Sequence, residues 1–377
     1  MSLKKVYLDN AATTPLAPEV AETMIPVLQN QFGNPSSTHS FGREVRGLVE
    51  TSRRKIANLL NITPGEIIFT SGGTEADNMA LRCSVEDLGV THIITSSIEH
   101  HAVIHTAEEI CKDKIKLSLV KLDSLGRVDL NHLEELLQTD QKTLVSLMHA
   151  NNEIGTLLPL EKVGKLCRKY NALFHSDTVQ TMAHYKFDLH NLPVDFVTCS
   201  AHKFHGPKGI GFLYINKNLQ IKPLIHGGSQ ERNRRGGTEN VYGIVGLAKA
   251  LEMALHDVEA HQKHVQDLKS YMINQLEERI EGVSFNGDAK GDSLYTVLSV
   301  CFPKHEKAPM LLFHLDLFGI AVSGGSACSS GSNQGSHVLV GIGADMERPT
   351  VRFSFSRYTT KDDIDYTLGN IETLFNN

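Results

Sequence analysis

The sequence predicts an α/β protein, with a large unit built on a mostly parallel sheet flanked by helices and a smaller α+β unit at the C-terminal end. Three observations predict it. Between Ile67 and His175, short apolar runs alternate with segments of helical periodicity, the pattern of strands covered on both faces by crossover helices. From Val194 to Tyr214, two β-rich runs flank a Gly/Pro turn, which gives a hairpin-like pair. The chain has 377 residues, more than one hydrophobic core usually serves, so two lobes are expected.

Taken in order, Val6–Leu8 reads as a short strand and Asp9–Pro15 as a loop. Pro18–Gln29 is helical, Phe32–Ser37 is a loop, and Phe41–Leu60 is a long amphipathic helix with Val45, Leu48, Val49, Ile56 and Leu59 on one side. The alternation then begins: strand Ile67–Phe69, helix Thr74–Leu88, strand His92–Thr95, helix Ala102–Cys111, strand Lys116–Lys121 and helix Asn131–Leu137. It continues with strand Leu144–Met148, helix Leu160–Tyr170 and strand Leu173–His175. Phe196–Cys199 and Ile210–Ile215 are the paired runs around Gly206–Gly209. Asn216–Gly237 is a connection rich in Gly and Arg, and Asn240–Ile280 is expected as one long helix between the lobes. Strand Thr296–Phe302, helix Pro309–Phe318, strand Val351–Phe355 and helix Lys361–Phe375 make the smaller unit. Within it, Ser323–Ser336 is a stretch of low complexity.

Composition excludes several classes. Hydrophobic content of 41% and charge of 21% are ordinary for a soluble globular protein. A net charge of −6 gives no general pull toward nucleic acid, despite the local run Arg232–Arg235. No run is apolar enough to span a bilayer, and the first residues lack a secretory pattern. The six cysteines are scattered without a CxxC pair, so reduced thiols in the cytoplasm are expected.

In a sheet of this kind ligands sit beyond the carboxyl ends of the strands, and chemically useful residues gather there. Ile67–Phe69 leads into Thr70-Ser71-Gly72-Gly73-Thr74 and a helix N-terminus, a place where backbone amides and the helix dipole favour an anion. No Walker lysine follows, so a nucleoside triphosphate is not expected. His100 follows one strand, and its imidazole suits stacking on a flat ring. His101 and His105 lie one turn apart, yet neither an HExxH pattern nor a third ligand accompanies them, so no metal is expected. Asn152 follows the next strand, Asp177 the one after, and Ser200-Ala201-His202-Lys203 the last. Singly, each has a bland reading as a capping residue or a turn residue. Together a phosphate cradle (Gly73, Thr74, Ser200, His202), a stacking ring, an acid and an amine suit pyridoxal 5′-phosphate.

At these residues the chain resembles the NifS/IscS-like cysteine desulfurases, class-V aminotransferases among the fold-type I pyridoxal-phosphate enzymes. The resemblance runs from LDNAATTP (Leu8–Pro15) through FGNPSS, TSGGTEADN, EHHAV, NNEIG, HSDTVQ, SAHKFHGPKGIG, GGTEN and SGGSACSS to RFSFSR (Arg352–Arg357). It implies a PLP-dependent transferase-like fold, with a large cofactor-binding domain at 16–254 and a small domain formed by 1–15 and 255–377. It implies Lys203 as the lysine joined to the cofactor, His100 as ring stacker and proton carrier, Asp177 at the pyridine nitrogen and Gln180 at the ring hydroxyl. Thr74, Ser200 and His202 would hold the phosphate. Thr238 would reach the phosphate of a neighbouring subunit, which implies a homodimer. Arg352 would clamp the carboxylate of L-cysteine, aided by Asn34 and Asn152.

Cys328 separates such enzymes from aminotransferases. It lies in a Gly/Ser stretch ill suited to core packing, whereas Cys199, Cys301, Cys111 and Cys167 fall on strands and helices as small apolar residues. The resemblance makes Cys328 the thiol that takes sulfur from L-cysteine, leaving alanine, and passes it to a protein acceptor such as an iron–sulfur scaffold. A selenocysteine lyase or related C–S lyase on the same fold is the nearest alternative, and a non-catalytic sulfur carrier is a more distant one.

Overall fold

The computed structural model describes residues 4–112, 114–305, 310–324 and 335–376. The N-terminal part supplies β1 (Val6–Tyr7), α1 (Pro18–Asn30) and α2 (Ser40–Leu59). The alternating region supplies β2 (Ile67–Thr70), α3 (Gly73–Glu86), β3 (His92–Thr95), α4 (His101–Ile110), β4 (Lys116–Leu119), α5 (Leu130–Leu137) and β5 (Thr143–Ser146). It ends with α6 (Leu160–Lys169), β6 (Leu173–Asp177), β7 (Phe196–Ser200) and β8 (Gly211–Ile215). Then come a short turn α7 (Gln230–Asn233), α8 (Val241–His256), α9 (Val258–Arg279), β9 (Ser284–Asn286) and β10 (Val297–Cys301). The last elements are α10 (Leu311–Leu317), β11 (Ile320–Ala321), α11 (His337–Gly341), β12 (Thr350–Ser354) and α12 (Lys361–Asn376).

Seven strands form the main sheet in the order β2-β8-β7-β6-β5-β3-β4. Every pairing is parallel except those of β8, which runs antiparallel to β7 and β2. The strands read as unbroken apolar runs because helices cover both faces, and β2, β3, β5, β7 and β8 are buried at every position. One core lies between the sheet and α1, α2 and α8, with Val45, Val49 and Ile56 facing Leu247 and Leu251. Each such side chain contributes about 1.5–3 kcal/mol on burial. A separate core joins Val6 and Leu8 to α9, β10, β12 and α12, around the antiparallel sheet β12-β10-β9. The expected α/β architecture with a smaller α+β unit is present.

The expected single helix from Asn240 to Ile280 is two helices. Asp257 breaks it with φ −124° and ψ 27°. An Asp just before Val258-Glu259 is an N-cap signal, overridden in the sequence reading by the uninterrupted apolar periodicity. The two-residue β11 and three-residue β9 carry too little periodicity to be read in advance.

A strained turn stands out. Glu231, Arg232 and Asn233 take φ of 44°, 59° and 62°, a left-handed region that costs roughly 1–2 kcal/mol per non-glycine residue. Among the described residues no helix is long and apolar enough to cross a membrane.

Candidate active site

The carboxyl ends of the parallel strands open into a cavity of about 250 Å³. Gly73, Thr74, His100, Asn152, Asp177, Gln180, Ser200, His202, Lys203 and Arg352 all line it. Ala11, Ala12, Asp77, Met148 and Val179 complete the wall. Ten residues singled out from the sequence thus meet in one place. Asn34 and Thr238 do not: both are exposed and neither lines the cavity. Asn34 caps its own loop, its Oδ1 accepting from the Ser36 backbone N–H at 2.9 Å. Cys328 lies outside the described residues.

Lys203 leaves β7 through a single 3-10 turn, Ala201–Lys203. Its Nζ donates to the carbonyls of Ala11 at 2.6 Å and Ala12 at 2.9 Å. The same loop is tied back to the lysine turn by Thr14, whose backbone N–H and Oγ1 both donate to the His202 carbonyl at 2.9 Å. The motif Leu8–Pro15 therefore forms the wall against which the amine is held. Gln180 also spends its Nε2 on the Ala11 carbonyl, at 3.0 Å.

His100 is the N-cap of α4, its Nδ1 accepting from the Ala102 N–H at 3.1 Å. That bond puts the hydrogen of the neutral ring on Nε2. Burial, reinforced by Lys203 and neighbouring histidines, lowers its pKa to about 4, so the ring is neutral through the physiological range. His202 is likewise lowered to about 4, by burial and then Lys203, and its Nδ1 lies 3.1 Å from Thr13 Oγ1.

Asp177 ends β6 and is buried, with its Oδ1 accepting from the Val179 N–H at 2.8 Å. Burial and the nearby charge of Asp77 push its pKa up to about 7. Asp77, one turn into α3, was not anticipated from the sequence. It is 1% exposed, and among the described residues its Oδ1 has no hydrogen-bond partner. His175 Nε2 stands 3.4 Å from that oxygen but lies nearer Thr198 Oγ1, at 3.1 Å, and burial keeps this ring neutral. Ligand atoms of Asp77, Asp177 and His100 lie within 4.8 Å of one another. The i, i+4 relation of Asp77 to Gly73 was the available signal, hidden because α3 reads as an ordinary amphipathic helix.

Arg352 on β12 is 1% exposed and reaches the cavity from the small unit. Its Nη2 pairs with Asp9 at 2.9 Å and its Nη1 donates to the Asn152 carbonyl at 3.0 Å. Among the described residues the buried Nε has no partner, and a guanidinium with an unspent N–H suits a carboxylate. Asp9 also accepts from Ser323 Oγ at 2.8 Å, and Ser323 and Arg352 exchange backbone hydrogen bonds. On the far side of 325–334, Ser336 donates to Glu153. His337 lies 3.2 Å from His101 Nε2 and 2.9 Å from the Glu99 carbonyl. The two ends of the stretch that carries Cys328 are therefore fixed beside the cavity.

Glu99, beneath His100, is 1% exposed. It accepts from Ser96 Oγ at 2.7 Å and from the Met148 N–H at 2.9 Å. Burial pushes its pKa up to about 8 against the two hydrogen bonds. The folded state then holds a proton that the unfolded chain releases near the ordinary value of 4.5. Stability is lost as pH rises from there through about 8. Glu99→Gln removes that loss. The cofactor-free variant is expected to melt roughly 2–4 °C above wild type at alkaline pH and to match it only at or below about pH 4.5. Calorimetry against pH checks this, and parallel curves at all pH values would refute it.

The family model described as aminotransferase class-V matches residues 6–367. The chain is 46% identical over 375 residues to the cysteine desulfurase IscS of Dictyoglomus turgidum, covering 98% of this chain and 94% of that protein. It is 44% identical over 370 residues to the putative cysteine desulfurase IscS 1 of Bacillus subtilis, covering 96% of each. A solved NifS-like protein aligns with a TM-score of 0.92 at 39% identity, over 99% of this chain and 100% of that one. SspA in complex with cysteine aligns at 0.81 and 31% identity, over 94% and 100%. The chain belongs to the class-V aminotransferase family, in its NifS/IscS-like cysteine desulfurase branch. The resemblance carried by the motifs is borne out.

Proposed function

We infer that this protein is a pyridoxal 5′-phosphate-dependent cysteine desulfurase that turns L-cysteine into L-alanine and places the sulfur on Cys328. The observation that carries the reading is the meeting of Lys203, Asp177, His100, the N-terminus of α3 and Arg352 on one cavity. The residues fit the cofactor. Gly72, at φ 150°, and Gly73 open the helix N-terminus to an anion, and a Cβ at Gly73 would stand 2.8 Å from Val179 Cγ2. Ser200, His202 and Thr74 add donors there, and a buried carboxylate at Asp177 suits a protonated ring nitrogen. When bound, the ring draws electron density from the substrate α-carbon.

The protein's own groups do the rest. Lys203 anchors the cofactor and moves the α-proton. Arg352, held in plane by Asp9 and Asn152, binds the substrate carboxylate. The Cys328 sulfur bonds to the substrate sulfur as the Cβ–S bond breaks. The thiol proton stays on the product side, so one cysteine and one thiol give one alanine and one persulfide.

The finer reading has the following support. The division into 16–254, and 1–15 with 255–377, is supported by the separate cores. A homodimer in which the partner subunit's Thr238 meets the phosphate is supported by the outward position of that residue. Sulfur delivery to an iron–sulfur scaffold or similar acceptor in the cytoplasm rests on the family resemblance. The test is a single turnover without reductant: the holoenzyme given less than one equivalent of L-cysteine per site should form alanine and protein persulfide in equal amounts. Pyruvate and free sulfide in place of alanine would refute the reading. Running selenocysteine beside cysteine discriminates the selenocysteine lyase.

A further inference from the structure

We propose that Glu231 is a positioning residue for the cofactor phosphate, acting by fixing the segment that presents Thr238. This rests on the two-copy reading above. Three consecutive left-handed non-glycine residues, Glu231–Asn233, persist only where their surroundings over-determine them. Here the determinant is a buried ion pair. Arg53, 2% exposed, donates through Nη1 and Nη2 to the two Glu231 oxygens, both at 2.8 Å. The same Glu231 carboxylate accepts from the Phe69 N–H at 2.9 Å, while Arg53 donates to the Ile67 carbonyl at 2.7 Å and lies over the Phe69 ring. Glu231 thus locks the turn onto β2, the strand that runs straight into the phosphate cradle.

A second attachment lies four residues on. Arg235 donates to both oxygens of Glu75, at 2.9 and 3.2 Å, and Glu75 also takes the Ser71 N–H at 2.8 Å. Around these anchors the segment is closed by Gly236 N–H to the Ile225 carbonyl and by Gly237 N–H to Gln230 Oε1. A Cβ on Gly236 would stand 2.7 Å from the Gly227 Cα, so the two ends of the segment touch. Thr238 follows at once, exposed and outside its own chain's cavity. Beside the cradle a second, open cavity of about 440 Å³ is lined by Thr13, Thr74, Ser200, His202 and Lys208, room for an incoming segment of another copy. A buried ion pair is weak evidence for stability and is best attested where one geometry must be chosen over others. The geometry chosen here is a rigid projection, which lowers the ordering cost of a contact made across subunits.

The test uses the holoenzyme of Glu231→Gln and of the apolar replacement Arg53→Met/Glu231→Leu, the second in case a lone buried arginine prevents folding. Cofactor dissociation constant, the phosphorus NMR shift of the bound phosphate, kcat and KM for cysteine are measured. The expected result is a dissociation constant raised ten-fold or more with a moved phosphorus signal, and a much smaller change in kcat at saturating cofactor. A lower melting temperature with unchanged cofactor affinity and phosphorus shift overturns the proposal. Mixed dimers of Glu231→Gln with Lys203→Ala pair one intact Lys203 with one intact projection, and should recover tight binding at about half the sites. Binding that stays weak overturns action across the interface. Thr238→Ala mixed with Lys203→Ala is the separate control. Without recovery there, the two-copy reading fails; with recovery there and none for Glu231→Gln, only the Glu231 inference fails.

Discussion

Lys203→Ala protein is expected to lose desulfurase activity by at least a thousand-fold, on the order of what removing a covalent catalytic group costs, and to lose its bound chromophore on dialysis. The physical reason lies in the two carbonyls of Ala11 and Ala12 that hold the amine. They aim Nζ into the cavity from a turn rigidly tied to the N-terminal loop. An alanine leaves that wall in place but removes the amine proposed above as both covalent anchor and base for the α-proton. The fold should survive, because Lys203 is only partly buried and stands at the cavity edge. Absorbance spectra before and after dialysis, with alanine release as the kinetic readout, test this. A variant that keeps both colour and turnover would remove Lys203 from the chemistry.

Cys328→Ala separates cofactor binding from sulfur transfer. The variant should keep the cofactor, its spectrum and its affinity for cysteine, yet form alanine at least a hundred-fold more slowly, the order expected when a nucleophile is removed and solvent thiols must replace it. Protein persulfide, read by mass spectrometry after a single turnover, should vanish. Four of the other five cysteines offer no substitute: burial pushes the Cys83 and Cys167 thiols up to about 12 and the Cys111 thiol to about 11, and raises Cys199 well above the ordinary value, so these four supply little thiolate near neutrality. Alanine formation at the wild-type rate would show that Cys328 is not the sulfur acceptor.

Much of the fold was legible because the sheet is parallel and buried: apolar runs followed by glycine, hydroxyl, imidazole or acid mark the carboxyl ends of strands without ambiguity. The site was legible for the same reason, since Gly73, His100, Asn152, Asp177 and Lys203 each follow a strand. What escaped reading acts through partners far away in sequence. Asp9 holds Arg352 across 343 positions and Glu231 holds Arg53 across 178, and neither periodicity nor spacing reports such pairs. Asp77 and Glu99 escaped because a buried acid in a helix or loop looks like a surface acid until the fold covers it. Asp257 escaped because one polar residue does not interrupt a helical pattern of apolar positions.

The pinning of Ser323 to Asp9 and Arg352 sets a radius of action for the sulfur. Cys328 is five positions from Ser323, and five fully extended residues span at most about 18 Å. On the function proposed above, a sulfur acceptor must bring its receiving atom within about that backbone reach, plus one cysteine side chain, of Ser323.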